Sequence, residues 1–157
     1  KTQGIEMLTH YVKSIIKSPP NVIATELNFT FQLNDITIAG TIDRLDKEDG
    51  VVITDYKTSK SSTKAKTSLQ LAIYSLYLEQ TEELVFKGIP KISKFYFLRD
   101  FEDPIREHAF SFDELRNTEQ KIIEVSTGIQ KKDFNPKKGN HCNWCDYKYL
   151  ACPAWED

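Results

Sequence analysis

From residue 22 to residue 33 the chain alternates apolar and polar side chains, and two short turn-forming runs set off two further strand-like segments up to residue 57. Ile23, Thr25, Leu27, Phe29, Phe31 and Leu33 share one side of the first segment. Asn34-Asp35 is a tight-turn dipeptide. The second segment covers residues 36–46, Lys47-Glu48-Asp49-Gly50 turns the chain, and residues 51–57 form the third. A period of two residues is incompatible with a helix. Connections this short allow only neighbouring strands of opposite direction. An antiparallel three-stranded meander is therefore the unit around which the rest must pack.

Helical periodicity flanks it. Ile5, Leu8, Val12 and Ile15 recur on one face of a predicted helix over residues 4–16, stopped by Ser18-Pro19-Pro20. His10 lies off that stripe and is expected to face solvent. Residues 58–68 read as a polar loop carrying Lys60, Lys64 and Lys66. Residues 69–78 form a strongly apolar helix and residues 92–98 a buried strand, with another expected at 104–110. Ser111 and Glu114 make a capping box for a helix over 111–127, closed by Gly128. The predicted class is α/β, with a mixed sheet in an α-β-β-β-α-β order. A core over 1–130 is expected, with a small cysteine-bearing appendage over 131–157.

Composition narrows the function classes. With 157 residues, 39% hydrophobic and 28% charged, the chain is neither disordered nor a membrane protein. No apolar run approaches the roughly 20 residues of a membrane-spanning helix. The formal net charge of −2 gives no global attraction to nucleic acid, so such a role must rest on a local site. The three cysteines all fall in the last sixteen residues, unlike a secreted disulfide framework. A reduced, cytoplasmic setting is expected. The chain starts at Lys1 rather than Met, and an excised domain is expected.

The second strand reads GTIDRLD and the third VVITDYKTSK. Asp43 and Asp55 lie on adjacent strands, and a period of two puts Asp55 and Lys57 on one face. Two carboxylates and an ammonium at one spot suit metal-assisted phosphoryl chemistry, since Mg²⁺ is commonly held by one or two carboxylates plus a phosphate. A surface hairpin with ion-paired acids and lysines is the bland alternative. The flanking Ile42, Val51, Val52 and Ile53 mark these as core strands, where acids need partners or a metal.

The run GTIDRLD, DGVVITDYKTSK and LQLAIYSLY resembles the RecB class of the PD-(D/E)xK nuclease superfamily, which includes the nuclease domains of RecB and AddB. The resemblance implies a restriction-endonuclease-like fold and a DNA nuclease dependent on Mg²⁺ or Mn²⁺. It implies metal ligation by Asp43, Asp55 and the Tyr56 carbonyl, with Glu26 as a further metal ligand. Catalytic roles fall to Asp43, Asp55 and Lys57, with Gln70 and Tyr74 one above the other on the next helix, beside the site. Glu26 falls where related nucleases often carry a further acid. Arg44 and Asp46 are companions of the second-strand motif. The expected context is single-stranded DNA as substrate, attached helicase domains of a repair helicase–nuclease, and no membrane. The class also carries a metal-binding histidine well upstream of the first strand, expected to lie outside this chain. The rival class of function is a nuclease-fold module without activity that binds DNA or docks a partner. A third is a cysteine-knuckle interaction domain in which the hairpin acids are only structural.

The tail reads Cys142-x2-Cys145-x6-Cys152-Pro153. Spacing alone leaves a zinc site, an iron–sulfur site and free thiols open. The resemblance implies a four-iron four-sulfur cluster bound by Cys142, Cys145 and Cys152, with a fourth cysteine upstream of Lys1. Lys131, Lys132, Lys137, Lys138 and Lys148 lie among Phe134, Trp144, Tyr147, Tyr149 and Trp155. Charge beside stacking surface suits single-stranded DNA, and a solvated face around a small aromatic core fits equally.

Overall fold

A computed structural model describes residues 2–59, 63–83 and 85–155. Lys60, one of the loop lysines, lies outside the described residues. The chain divides into two compact units, residues up to Lys121 and residues from Ile122 on.

The first unit is a five-stranded sheet in the order β1-β2-β3-β4-β5 with helices on both faces. The meander is β1 (Val22–Leu33), β2 (Ile36–Glu48) and β3 (Gly50–Lys57). Both of its pairings are antiparallel. After β3 the chain passes through a 3-10 turn at Ala65–Thr67 into α2 (Leu69–Gln80) and returns as β4 (Ile92–Phe97), parallel to β3. β5 (Ile105–His108) closes the edge antiparallel to β4.

α2 begins where Ser68 Oγ accepts a hydrogen bond from the Leu71 backbone N–H, an N-cap. It buries Leu71, Leu76 and Leu78 completely. A buried hydroxyl pair, Ser75 with Ser93 at 3.0 Å, ties it to β4. The same helix presents Tyr74 and Tyr77 to Phe29 of β1, the Tyr77 ring stacked at 4.8 Å and the Tyr74 ring edge-on at 5.7 Å. Phe29 in turn covers Gly40 of β2. A Cβ built at Gly40 would stand 2.8 and 2.9 Å from two Phe29 ring carbons. Gly40→Ala must therefore displace a ring held on both sides. The expected cost is about 1–3 kcal/mol, read as a lower urea midpoint at unchanged slope. An unchanged midpoint would refute the close approach.

Two expectations need correction here. α1 (Thr2–Ile15) forms, but most of its apolar stripe is not its packing face: Ile5, Leu8 and Val12 are 50–66% exposed, and of the four Ile15 alone is half-buried. The helix docks instead through polar and aromatic residues. His10, expected in solvent, is half-buried and stacks on Phe101 with ring centroids 4.7 Å apart. The cause is Tyr56 and Tyr96 on the sheet beneath the helix, whose rings meet Tyr11 of α1 edge-on and whose hydroxyls seek partners.

α3 (Phe112–Gln130) starts with the expected capping box: Glu114 N donates to Ser111 Oγ at 3.2 Å and Ser111 N to Glu114 Oε2 at 2.9 Å. It does not stop at Gly128 but runs to Gln130. In the second unit, 3-10 turns occur at Asn140–Trp144 and Pro153–Trp155. No helix among the described residues is long and apolar enough to cross a membrane.

Candidate active site

Register places the two acids. Arg44 pairs with Thr54 and Leu45 with Ile53, which sets Asp43 across from Asp55 on the neighbouring strand. The join is direct, since the Tyr56 backbone N–H donates to Asp43 Oδ2 at 2.8 Å. Asp55 is 2% exposed. Lys57, two residues on and on the same face, brings Nζ to 2.6 Å from Asp55 Oδ2. It also lies 4.9 Å from the centroid of the Phe95 ring.

α2 supplies the cover. Gln70 and Tyr74, four apart, stand on one helix face. The Gln70 amide is fully used: Nε2 donates to Asp55 Oδ1 at 2.7 Å and to Tyr74 Oη at 2.8 Å, while Oε1 accepts from Lys57 Nζ at 2.8 Å. One side chain thus brackets carboxylate, ammonium and phenol. Because Tyr74 Oη accepts from Gln70, its own O–H stays available to donate.

Electrostatics follow from this crowding. Burial pushes the Asp55 carboxyl above its usual 3.8; Lys57 opposes that rise and Asp43 adds to it. Burial likewise raises the Tyr74 phenol, against the Gln70 hydrogen bond and with help from both acids, which keeps it protonated.

The structure thus brings together Asp43, Asp55, the Tyr56 backbone, Lys57, Gln70 and Tyr74. It does not bring in Glu26. Thr25 pairs with Arg44 and Leu27 with Ile42, so Glu26 holds the register position opposite Asp43, yet it is exposed. Its backbone sits at φ 48°, a left-handed turn inside a strand that costs a non-glycine residue about 1–3 kcal/mol. Sequence alternation cannot signal such a break.

On the opposite face, Arg44 and Asp46 are buried together, Arg44 Nε and Nη2 lying 3.1 and 2.9 Å from Asp46 Oδ2. Arg44 also donates to the hydroxyls of Tyr11 and Tyr56. Tyr11 is a participant that sequence patterning passes over, because it sits off the apolar stripe.

A family model described as the PD-(D/E)XK nuclease superfamily matches residues 5–153. The chain belongs to the PD-(D/E)XK nuclease superfamily. Nineteen chains of solved structures match it, among them one titled "Crystal structure of SSO0001". That match has a TM-score of 0.52 and 18% identity, covering 98% of this chain and 71% of the other; it bears on the fold alone. No curated protein matches the sequence. The five-stranded mixed sheet with helices on both faces agrees with the restriction-endonuclease-like fold expected of the superfamily.

Superfamily nucleases use divalent metal ions, and the donor set can be tested against one. Asp55 Oδ2 is a buried oxygen whose close contact is the 2.6 Å ion pair with Lys57 Nζ, and burial still outweighs that pairing in raising the carboxyl pKa. Two carboxylates face each other across paired strands, the buried one held above its usual pKa by loss of solvent. All donors are hard oxygens. This fits Mg²⁺ or Mn²⁺, which take one or two carboxylates and complete their shell with water and phosphate.

The tail does not show a comparable set. Among the described residues no three or more His, Cys, Asp or Glu side chains are grouped to hold a metal ion. Cys142 is buried and accepts from the Gly139 N–H at 3.4 Å, Cys145 is exposed and Cys152 half-buried, and none is in a disulfide. The expected iron–sulfur site finds no support in this arrangement. The lysines and aromatics do meet: Lys138 and Lys148 lie 4.3 and 4.5 Å from the Trp155 ring centroid, and Tyr149 is 79% exposed beside them.

Proposed function

We propose that the chain is a divalent-metal-dependent DNA nuclease domain of the RecB/AddB type, the nuclease part of a cytoplasmic repair helicase–nuclease. Residues 131–157 form an appendage to its core. The observation that carries this reading is the hydrogen-bonded convergence of Asp43, Asp55, Lys57 and Gln70 on one sheet face. Asp43, Asp55 and the Tyr56 carbonyl would hold Mg²⁺ or Mn²⁺. A cation bound there acidifies water and offsets the negative charge that builds on a phosphodiester. Lys57 orients the attacking water and stabilises that charge from the other side. Gln70 fixes Lys57 relative to Asp55. The Tyr74 O–H, protonated and undonated, aligns a phosphate oxygen. The Lys138, Lys148 and Trp155 group with exposed Tyr149 supports single strands as substrate, where bases stack and backbones seek cations.

The test is incubation of the purified chain with end-labelled single-stranded and duplex DNA. Cleavage is expected with Mg²⁺ or Mn²⁺, faster on single strands, and none in EDTA. Cleavage that survives EDTA would overturn the reading. The small donor set of two acids favours a second reading, a nuclease-fold module that binds DNA or docks a partner without cutting it. DNA binding with no cleavage at any metal concentration would establish it.

A further inference from the structure

The residues that flank the two acids point the other way, and they are fastened to each other. Arg44 follows Asp43 and Tyr56 follows Asp55, so both project to the sheet face away from α2. Arg44 is only 7% exposed. Two of its nitrogens share Asp46 Oδ2, Nη2 lies 3.5 Å from Thr54 Oγ1, and Nη1 lies 2.6 Å from Tyr11 Oη and close to Tyr56 Oη. Tyr11 and Tyr56 hydroxyls also meet each other. One guanidinium therefore joins β2, β3 and α1 directly behind Asp43 and Asp55.

We propose that Arg44, Tyr56 and Tyr11 form a positioning clamp that sets the separation of the two carboxylates through the backbone. Tyr56 is the link, because the peptide whose side chain the clamp grips is the one whose N–H holds Asp43. The clamp ties the affinity of the acids for a divalent cation to the docking of α1. Tyr11 is well placed for this, since Ile5, Leu8 and Val12 of α1 are exposed and the Tyr11 ring and hydroxyl meet the sheet at Tyr56 and Tyr96. The inference rests on the metal-dependent reading above.

The test is titration of the whole chain with Mn²⁺, followed by calorimetry and by the electron paramagnetic resonance signal of free Mn²⁺. Tyr56→Phe and Tyr11→Phe each remove a single oxygen and keep the ring. Each is expected to weaken Mn²⁺ binding about tenfold or more, the lower range for partners that orient metal ligands. Cleavage by these variants should recover at saturating Mn²⁺, which a general folding defect would not allow. Ser14→Ala removes another polar contact of α1, a 2.9 Å bond to Tyr96 that bypasses Arg44 and Tyr56, and should weaken Mn²⁺ binding less than either Tyr→Phe change. Arg44→Lys cannot reproduce the fork and should lose more, while the two Tyr→Phe variants keep the test valid if it does not fold. If both Tyr→Phe variants bind Mn²⁺ as tightly as the parent chain while Asp55→Asn does not bind, the clamp is wrong and the nuclease reading stands. If the parent chain binds no Mn²⁺, both fall together.

Discussion

Asp55→Asn is expected to abolish Mn²⁺ binding and DNA cleavage while leaving the metal-free fold as stable as before or more so. The substitution keeps shape and the hydrogen bond from Gln70 Nε2 but removes a charge that is 2% exposed and faces a second acid. Removal of a ligand should cost more than the 10- to 100-fold typical of residues that only orient ligands. Stability should move the other way, because burial penalises the ionised Asp55 carboxylate more than its ion pair with Lys57 favours it. The pH dependence separates this from ordinary damage. The Asp55 carboxyl is held above 3.8 when folded, so the native state keeps its proton where the unfolded chain has lost it. Its contribution to stability is fully present below pH 3.8 and is lost as the pH rises through the folded value. In EDTA the parent chain should lose stability across that acidic window and Asp55→Asn should not, as read by thermal melts at a series of pH values. Parallel pH profiles, or a variant that still cuts, would contradict the assignment.

Lys57→Met should give the opposite separation: chemistry lost, metal retained. Its Nζ touches Asp55 and Gln70, and the side chain is 30% exposed, so the ammonium is both oriented and reachable by substrate. Removing a charge-stabilising donor of this kind costs on the order of 10²–10³ in kcat. Mn²⁺ affinity should hold or improve, since Lys57 competes with a cation for Asp55. Single-turnover cleavage at saturating Mn²⁺, set beside a Mn²⁺ titration, measures both. A Lys57→Met chain that binds Mn²⁺ poorly and cuts normally once saturated would make Lys57 a structural partner of Asp55 rather than a participant.

What could be read from the sequence was what depends on short-range geometry. The meander followed from a period of two and tight turns, and with it the shared face of Asp55 and Lys57. The family resemblance singled out Gln70 and Tyr74, and helical spacing put the two on one face. What escaped depended on distant packing. The apolar stripe of α1 implied a buried face because amphipathic helices usually bury that side. Here the docking is decided by Tyr11, His10 and Ser14 against residues far along the chain. Gly128 looked like a stop, yet a glycine inside a helix costs only about 1 kcal/mol, and the last turn continues past it. The left-handed backbone at Glu26 leaves no trace in composition at all.

The parallel pairing of β3 with β4 has a consequence for the order in which the site comes into being. Asp43 and Asp55 lie on a hairpin whose closure needs only a few intervening residues. The seat of α2, and with it Gln70 and Tyr74, is secured by Ser93 on a strand that must first loop back past the helix. Short loops close at small entropic cost and long ones at greater cost, so the two halves have different contact orders. A chain still emerging from a ribosome can bring its acids side by side well before the amide and the phenol are held over them.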